Sequence, residues 1–298
     1  MVKYKSPGDV VFRIINTTIM AIILVLAIYP VVWLVLASVS NPLELHTAPT
    51  RLLLWPRGFS TAAYGMVMTN SQLWRAYGNT IFYAISGTFI SVTVSMLGGY
   101  VLSRKYLPGR RFFTLLIVFT MFFGGGLIPF FIVVDALGLF DTRWAMILPN
   151  AISVFYVIMI ISFCRGIPDE MEESAKIDGA NDFYIFYKVM MPLAKPIIAV
   201  MVLFYTVDIW NTWMWGQIFL RSRSLLPLQV ILREILVLTN PDMMNLGAHG
   251  VTAAAEQAAF MDAVQYAVIV VSMIPIVALY PVIQKYFISG VMVGALKG

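Results

Sequence analysis

The stretch Pro168–Pro192, PDEMEESAKIDGANDFYIFYKVMMP, decides how the rest of the chain is read. Pro168 suits the first helical turn, and Asp169, Glu170, Glu172 and Glu173 behind it complement the positive end of a helix dipole. Gly179 stops that short helix, and Asn181 or Asp182 caps a second one running through Phe183–Met191 to Pro192. The pattern predicts helix, glycine hinge, helix, set between two long apolar segments.

Between Asp169 and Asp182 stand six acids and one lysine. A helix lying on an anionic leaflet would be basic, because the surface potential attracts Lys and Arg and repels carboxylates. This helix therefore reads as a surface for a protein with a basic groove. A solvated acidic loop is the alternative, and it would require the apolar run Phe183–Tyr187 to be hidden elsewhere.

Composition bounds the class. The chain has 298 residues, 60% of them hydrophobic and only 12% charged. A soluble domain carries about 25% charge, so the balance points to the membrane. The twenty Lys and Arg lie at the ends of apolar spans rather than on one polar domain, which excludes nucleic acid as a partner. Cys164 is the one cysteine, so no disulfide framework exists within the chain. His46 and His249 are the two histidines, and no metal site or catalytic triad assembles from them.

Apolar spans are predicted over 14–39, 74–101, 112–134, 144–163, 196–215 and 263–283, each near the 20 residues or so that a bilayer core demands. The third is interrupted by Gly124-Gly125-Gly126 and Pro129, and the fourth by Pro149 and Asn150. The loop 216–262 is the longest non-apolar piece, and the tail 284–298 is short and positive. With both ends inside, the inner segments carry thirteen Lys and Arg and the outer ones seven, so both termini are expected in the cytoplasm.

The acidic stretch resembles the EAA loop of binding-protein-dependent ABC importer permeases. That pattern is E-A-A, three residues, G, nine residues, then I-x-L-P. Here Glu173, Ser174 and Ala175 are followed at the same spacing by Asp178-Gly179-Ala180, Val189, Met191 and Pro192. The departures are Ser174 for Ala, Val189 for Ile and Met191 for Leu, all close in size. Gly138-Leu139, Asp141-Thr142, Leu148-Pro149, Trp210-Asn211 and the ending Val293–Gly298 are similar to the maltose-type permeases of oligosaccharide uptake. The triple glycine and the long outer loop resemble a sub-branch serving complex or acidic plant and algal oligosaccharides.

The resemblance implies a single permease domain over 1–298, an all-α polytopic membrane protein with the six transmembrane helices of the type I ABC importer fold. It implies a cytoplasmic coupling helix within the loop 164–195. It implies a cell-membrane heterodimer with a second, unlike permease, two ATP-binding cassette subunits that hold ATP and Mg, and an extracytoplasmic solute-binding protein. The chain itself would bind no cofactor and catalyse nothing, and no GxxxxGK[ST] occurs in it to cradle phosphates. Glu173, Ser174, Ala175, Asp178, Gly179, Ala180 and Pro192 would couple it to the ATPases. The tail Gly290–Gly298 would insert along the ATPase dimer, and Asn245, Leu246, Gly247, Ala248, His249 and Gly250 would reach into the binding protein.

Candidate path residues come from the fifth span. Asp208 is the carboxylate placed well inside a span, at a cost of at least about 2.5–3.5 kcal/mol near a helix centre. Asn211 and Thr212 follow it by three and four residues, on one helical face, and Asn150 interrupts the span before. Two other classes stay open at this point, a secondary transporter and a membrane sensory or scaffold subunit. The first calls for paired inverted halves, which the sequence does not display.

Overall fold

The computed structural model describes residues 7–47, 52–238 and 251–295. The expected binding-protein contact residues Asn245 to Gly250 lie outside the described residues, as do the last three residues of the tail. The described residues fall into two compact units, one within Met1–Ser71 and Glu234–Met273, the other within Gln72–Arg233 and Ile274–Gly298.

The first unit opens with α1 (Pro7–Ser38), without a formal charge after Arg13 and largely exposed, as suits a helix facing lipid. Short helices α2 (Pro42–His46) and α3 (Ala62–Thr69) follow. The Ser38 hydroxyl meets the Tyr64 hydroxyl at 2.8 Å, and Tyr29 accepts a hydrogen bond from the Leu53 backbone at 3.1 Å. His46 pairs with Asp262 at 2.7 Å, and Trp33 packs edge-on against Tyr266.

The second unit is built on α4 (Ser71–Ser103), a continuous helix of 33 residues. Next come α5 (Arg110–Phe122) and α6 (Leu127–Ala136), which correct the third predicted span. Their axes differ by 114°, so they form no single straight crossing. The triple glycine is the cause: Gly126 adopts φ 83° and ψ 176°, a region essentially confined to glycine. Neither piece alone, at about 1.5 Å per residue, covers a bilayer core of about 30 Å.

The fourth predicted span is corrected too. Helix α7 covers only Val154–Arg165, twelve residues, preceded by a 3₁₀ turn at Arg143–Met146 and irregular backbone around Pro149 and Asn150. Proline removes a backbone donor and biases the residue before it away from helix. Exposed polar backbone at membrane depth is tolerated where protein or a water-filled cavity satisfies it. Here the Ser153 N–H donates to the Tyr205 hydroxyl at 3.0 Å, and that hydroxyl meets Ser95 Oγ at 2.6 Å.

The acidic stretch forms α8 (Glu170–Ile177), then α9 (Asp182–Tyr184), a π-helical stretch over Ile185–Met190, and α10 (Met191–Leu193). The π turn accommodates Pro192, which has no N–H to give to the turn before it. The chain then bends by 82° into α11 (Lys195–Asn211). Helix α12 (Met214–Phe219) and α13 (Leu228–Leu238) follow on the predicted outer side. Finally α14 runs unbroken from Val251 to Ala295, so the sixth helix extends well beyond 263–283 at both ends and shortens the predicted loop 216–262.

Helices α1, α4 and the Glu256–Leu279 part of α14 are long and apolar enough to cross a membrane. The bent pairs Arg110–Phe122 with Leu127–Ala136 and Asp182–Leu193 with Lys195–Asn211 are each apolar enough when taken together, as a broken span or a re-entrant loop. With α7 these account for the six predicted segments, though not as six straight helices. A buried cluster joins Met96 and Tyr100 of α4, Ile160 and Cys164 of α7, Ile185, Phe186 and Met190 of the π turn, and Met201 and Tyr205 of α11.

Candidate functional site

Two polar constellations stand out, both inside the second unit. The first surrounds α8. Its end is a Schellman cap: Gly179 takes φ 80°, Gly179 N–H donates to Lys176 C=O at 3.0 Å, and Ala180 N–H reaches Ala175 C=O at 3.0 Å. The Asn181 side chain then caps α9 by accepting from the Tyr184 N–H at 2.8 Å, which settles the choice between Asn181 and Asp182. A Cβ at Gly179 would meet nothing within 4 Å. The requirement for glycine inside this chain is therefore the left-handed turn, not crowding.

Of the predicted coupling residues, Glu173, Ser174, Asp178, Gly179 and Pro192 are exposed, while Ala175 and Ala180 are half-buried against the core. Around them lies an apolar surface. Ile177 is 86% exposed and Phe183 73%, with Tyr184 and Tyr187 also open. The apolar run Phe183–Tyr187 thus divides: Ile185 and Phe186 enter the core, and the other three stay outside.

Glu172 does something the sequence pattern did not separate from its neighbours. Its side chain is 5% exposed and pairs with Arg104, 4% exposed, at 2.8 Å. Tyr106 Oη donates to the other carboxylate oxygen at 2.9 Å, and Lys176 Nζ lies 2.7 Å from it. Arg104 also donates to Ser103 Oγ and to the Cys164 carbonyl, and its guanidinium lies over the Tyr100 ring. Burial pushes the Glu172 carboxyl up, but the hydrogen bonds from Lys176 and Tyr106 and the charge of Arg104 outweigh it and hold the group below its ordinary value. The same contact raises Lys176, and burial together with Glu172 pushes Tyr106 up to about 12. A depressed carboxylate stabilises the fold above its unfolded value of 4.5 and loses that contribution as pH falls through its lower folded value. The clamp is therefore expected to stay ionised at neutral pH. Thermal unfolding of the purified chain checks this, with the contribution fading only in acid.

The second constellation is a cleft of about 290 Å³ lined by Ser91, Asn150, Ser153, Tyr205, Asp208 and Thr212, with Trp215 and apolar residues at its edges. Asp208, Thr212 and Asn150 line this cleft together, and Asn211 does not. Helix α11 ends at Asn211, and Thr212 turns out of the helix with ψ 113°. Thr212 Oγ1 donates to the Asp208 carbonyl at 2.7 Å, and Tyr156 Oη donates to the Asp208 carboxylate at 2.6 Å. The residues lining this cleft include no Lys, Arg or His.

The segment 222–228 is tied to α4. Asn79 donates to the Ser224 and Leu226 carbonyls, Tyr83 donates to Leu225, and Thr80 accepts from the Leu228 N–H. Leu226, Leu228, Val230, Ile231 and Leu232 are buried, so the apolar run of the predicted outer loop is a packed cap. Asp141, at φ 54°, fastens the start of that segment by accepting from Arg221 N, Ser222 N and Ser222 Oγ, and the Ser222 bonds hold its carboxyl low. Among the described residues no His, Cys, Asp and Glu group could hold a metal ion.

No family model matches the chain. It is 39% identical over 276 residues, 92% of this chain and 93% of the relative, to the polygalacturonan/rhamnogalacturonan transport system permease protein YtcP of Bacillus subtilis (strain 168). It is 34% identical to protein LplC of the same organism, over 99% of this chain and 98% of that one. Among solved structures it matches the crystal structure of a bacterial ABC transporter involved in the import of the acidic polysaccharide alginate, with a TM-score of 0.83 and 35% identity, covering 96% of this chain and 100% of that one. An exposed, capped acidic helix held on a membrane-type bundle, and relatives aligned along nearly the whole chain, place this protein among the permease subunits of carbohydrate ABC importers.

Proposed function

We propose that this chain is one of two unlike permeases that together carry an oligosaccharide inward, with both termini cytoplasmic and α8 docked into an ATP-binding cassette subunit. The observation that carries the docking assignment is the sidedness of the loop. One carboxylate of α8 is locked inward by Arg104, while Glu173, Ile177, Phe183, Tyr184 and Tyr187 stand free of the core. An acidic helix with apolar flanks fits a groove on a protein better than an anionic leaflet. ATP and Mg would belong to a pair of partner ATPases, and an extracytoplasmic solute-binding protein would deliver the sugar. The loop tip Asn245–Gly250 is assigned, on sequence, to contact with that binding protein.

The cleft beside Asp208 is assigned to the sugar path. Its hydroxyls, amide and carboxylate match the hydroxyl-rich rim of a sugar ring, and Trp215 is among the lining residues. Relatives named for polygalacturonan, rhamnogalacturonan and arabinooligosaccharides support plant-type oligosaccharides as the class. The test is uptake of such oligosaccharides into vesicles holding the assembled transporter. Uptake should require ATP and the binding protein together, and should vanish when Asn245–Gly250 is shortened while the ATPases still co-purify. Uptake without ATP would return the chain to the secondary-transporter reading.

A further inference from the structure

We propose that the buried Arg104–Glu172 pair is the joint through which α8 moves the rest of the subunit, with α4 as the rod that carries the displacement to the outer cap. The inference rests on α8 being the ATPase-docking helix. Glu172 is then a positioning residue whose partner lies within its own chain.

Four observations carry it. Both oxygens of Glu172 are occupied, one by Arg104 and the other by Tyr106 and Lys176. Arg104 fastens three elements at once: it stands just past the end of α4, donates to the Cys164 carbonyl in the last turn of α7, and grips α8 through Glu172. The neighbouring tie, Lys105 to Asp169 at 2.8 Å, is largely exposed, and such pairs hold little. Farther along α4, about 30–40 Å from Arg104 at about 1.5 Å per residue, Asn79, Thr80 and Tyr83 hold the segment 224–228.

The chemistry explains why a charged pair sits where an apolar contact would also fill the space. Buried ion pairs add little net stability over well-packed hydrophobic residues, but their directional hydrogen bonds fix a register that apolar surfaces can slide past. With both Glu172 oxygens and all three Arg104 guanidinium nitrogens engaged, a shift of α8 draws the inner ends of α4 and α7 with it as one body. Because α4 is continuous, the cap over 222–232 moves with the part of it that carries Asn79, Thr80 and Tyr83. This gives coupling a continuous covalent and hydrogen-bonded route across the subunit.

The test uses the complete transporter in vesicles. Glu172→Gln keeps the side-chain volume and the Tyr106 contact but removes the charge. We expect it to retain its ATPase subunits and to lose about tenfold in binding-protein-stimulated hydrolysis. In that background, Lys105→Cys and Asp169→Cys bridged by a short reducible bis-thiosulfonate reagent should restore stimulation, and reduction should remove it again. Lys105→Ala alone should leave stimulation unchanged. Unaltered stimulation in Glu172→Gln, or a loss that the bridge does not repair, overturns the joint. ATPase subunits missing from the unmodified transporter would overturn the docking assignment itself, and the joint with it.

Discussion

A Gly179→Asp variant is expected to remain in the membrane and to lose at least about tenfold of its binding-protein-stimulated ATP hydrolysis. Two effects combine. Gly179 sits at φ 80°, where an L-residue costs about 1–2 kcal/mol, although Asp and Asn bear it best. The strain alone is therefore mild. The larger effect is the bulk of a new side chain at the tip of the exposed surface formed by Glu173, Ile177 and Phe183, where a Cβ has open space on its own chain and a partner would fill it. Gly179→Asn carries the same strain and bulk without the charge. It should lose as much of the stimulation as Gly179→Asp, because a carboxylate facing a basic groove is not what does the damage. Glu173→Lys, which inverts a charge on the same exposed face, should behave like Gly179→Asp. Full stimulation in both Gly179→Asp and Glu173→Lys would show that this face docks nothing.

The helix–glycine–helix reading was legible because capping is local. A glycine at C′ and an asparagine at the N-cap satisfy backbone groups within a few residues of themselves, so nothing distant decides the outcome. The long helices α1 and α4 were legible for a similar reason, since hydropathy over a single stretch of chain carries the signal. Three features were not. The triple glycine announces a break, but the 114° bend follows from the backbone angles of Gly126, which composition does not encode. The segment from Trp144 looks like a span because hydropathy is blind to the Tyr205 hydroxyl that lets Ser153 leave the helix.

The third is Glu172. Four acids near a helix start look alike to a dipole argument, and what distinguishes Glu172 is an arginine 68 positions earlier. A signal was present in hindsight: Arg104 directly follows a long apolar helix and needs an anion to be buried at all.

Asp208→Leu is expected to make the chain more stable and the transporter much worse. A carboxylate within a membrane helix costs at least about 2.5–3.5 kcal/mol unless it is solvated or partnered. Its hydrogen bond from Tyr156 at 2.6 Å recovers part of that, and its place on the cleft recovers more through water. Leucine needs neither, so the unfolding midpoint of the purified subunit should rise or hold. If Asp208 had only a packing role, uptake would hold with it. If it lines the sugar path, uptake should fall at least about tenfold, about the value of one charge-assisted hydrogen bond lost to a sugar hydroxyl. Asp208→Asn keeps a partner for Tyr156 and an acceptor for the sugar, and should fall between the two. Tyr156→Phe leaves the carboxylate in place but free to turn, so its effect should be on the half-saturating sugar concentration more than on the maximal rate. Uptake by Asp208→Leu within a factor of about two of the unmodified transporter would remove this cleft from the path, because so small a change is less than the loss of a single such bond.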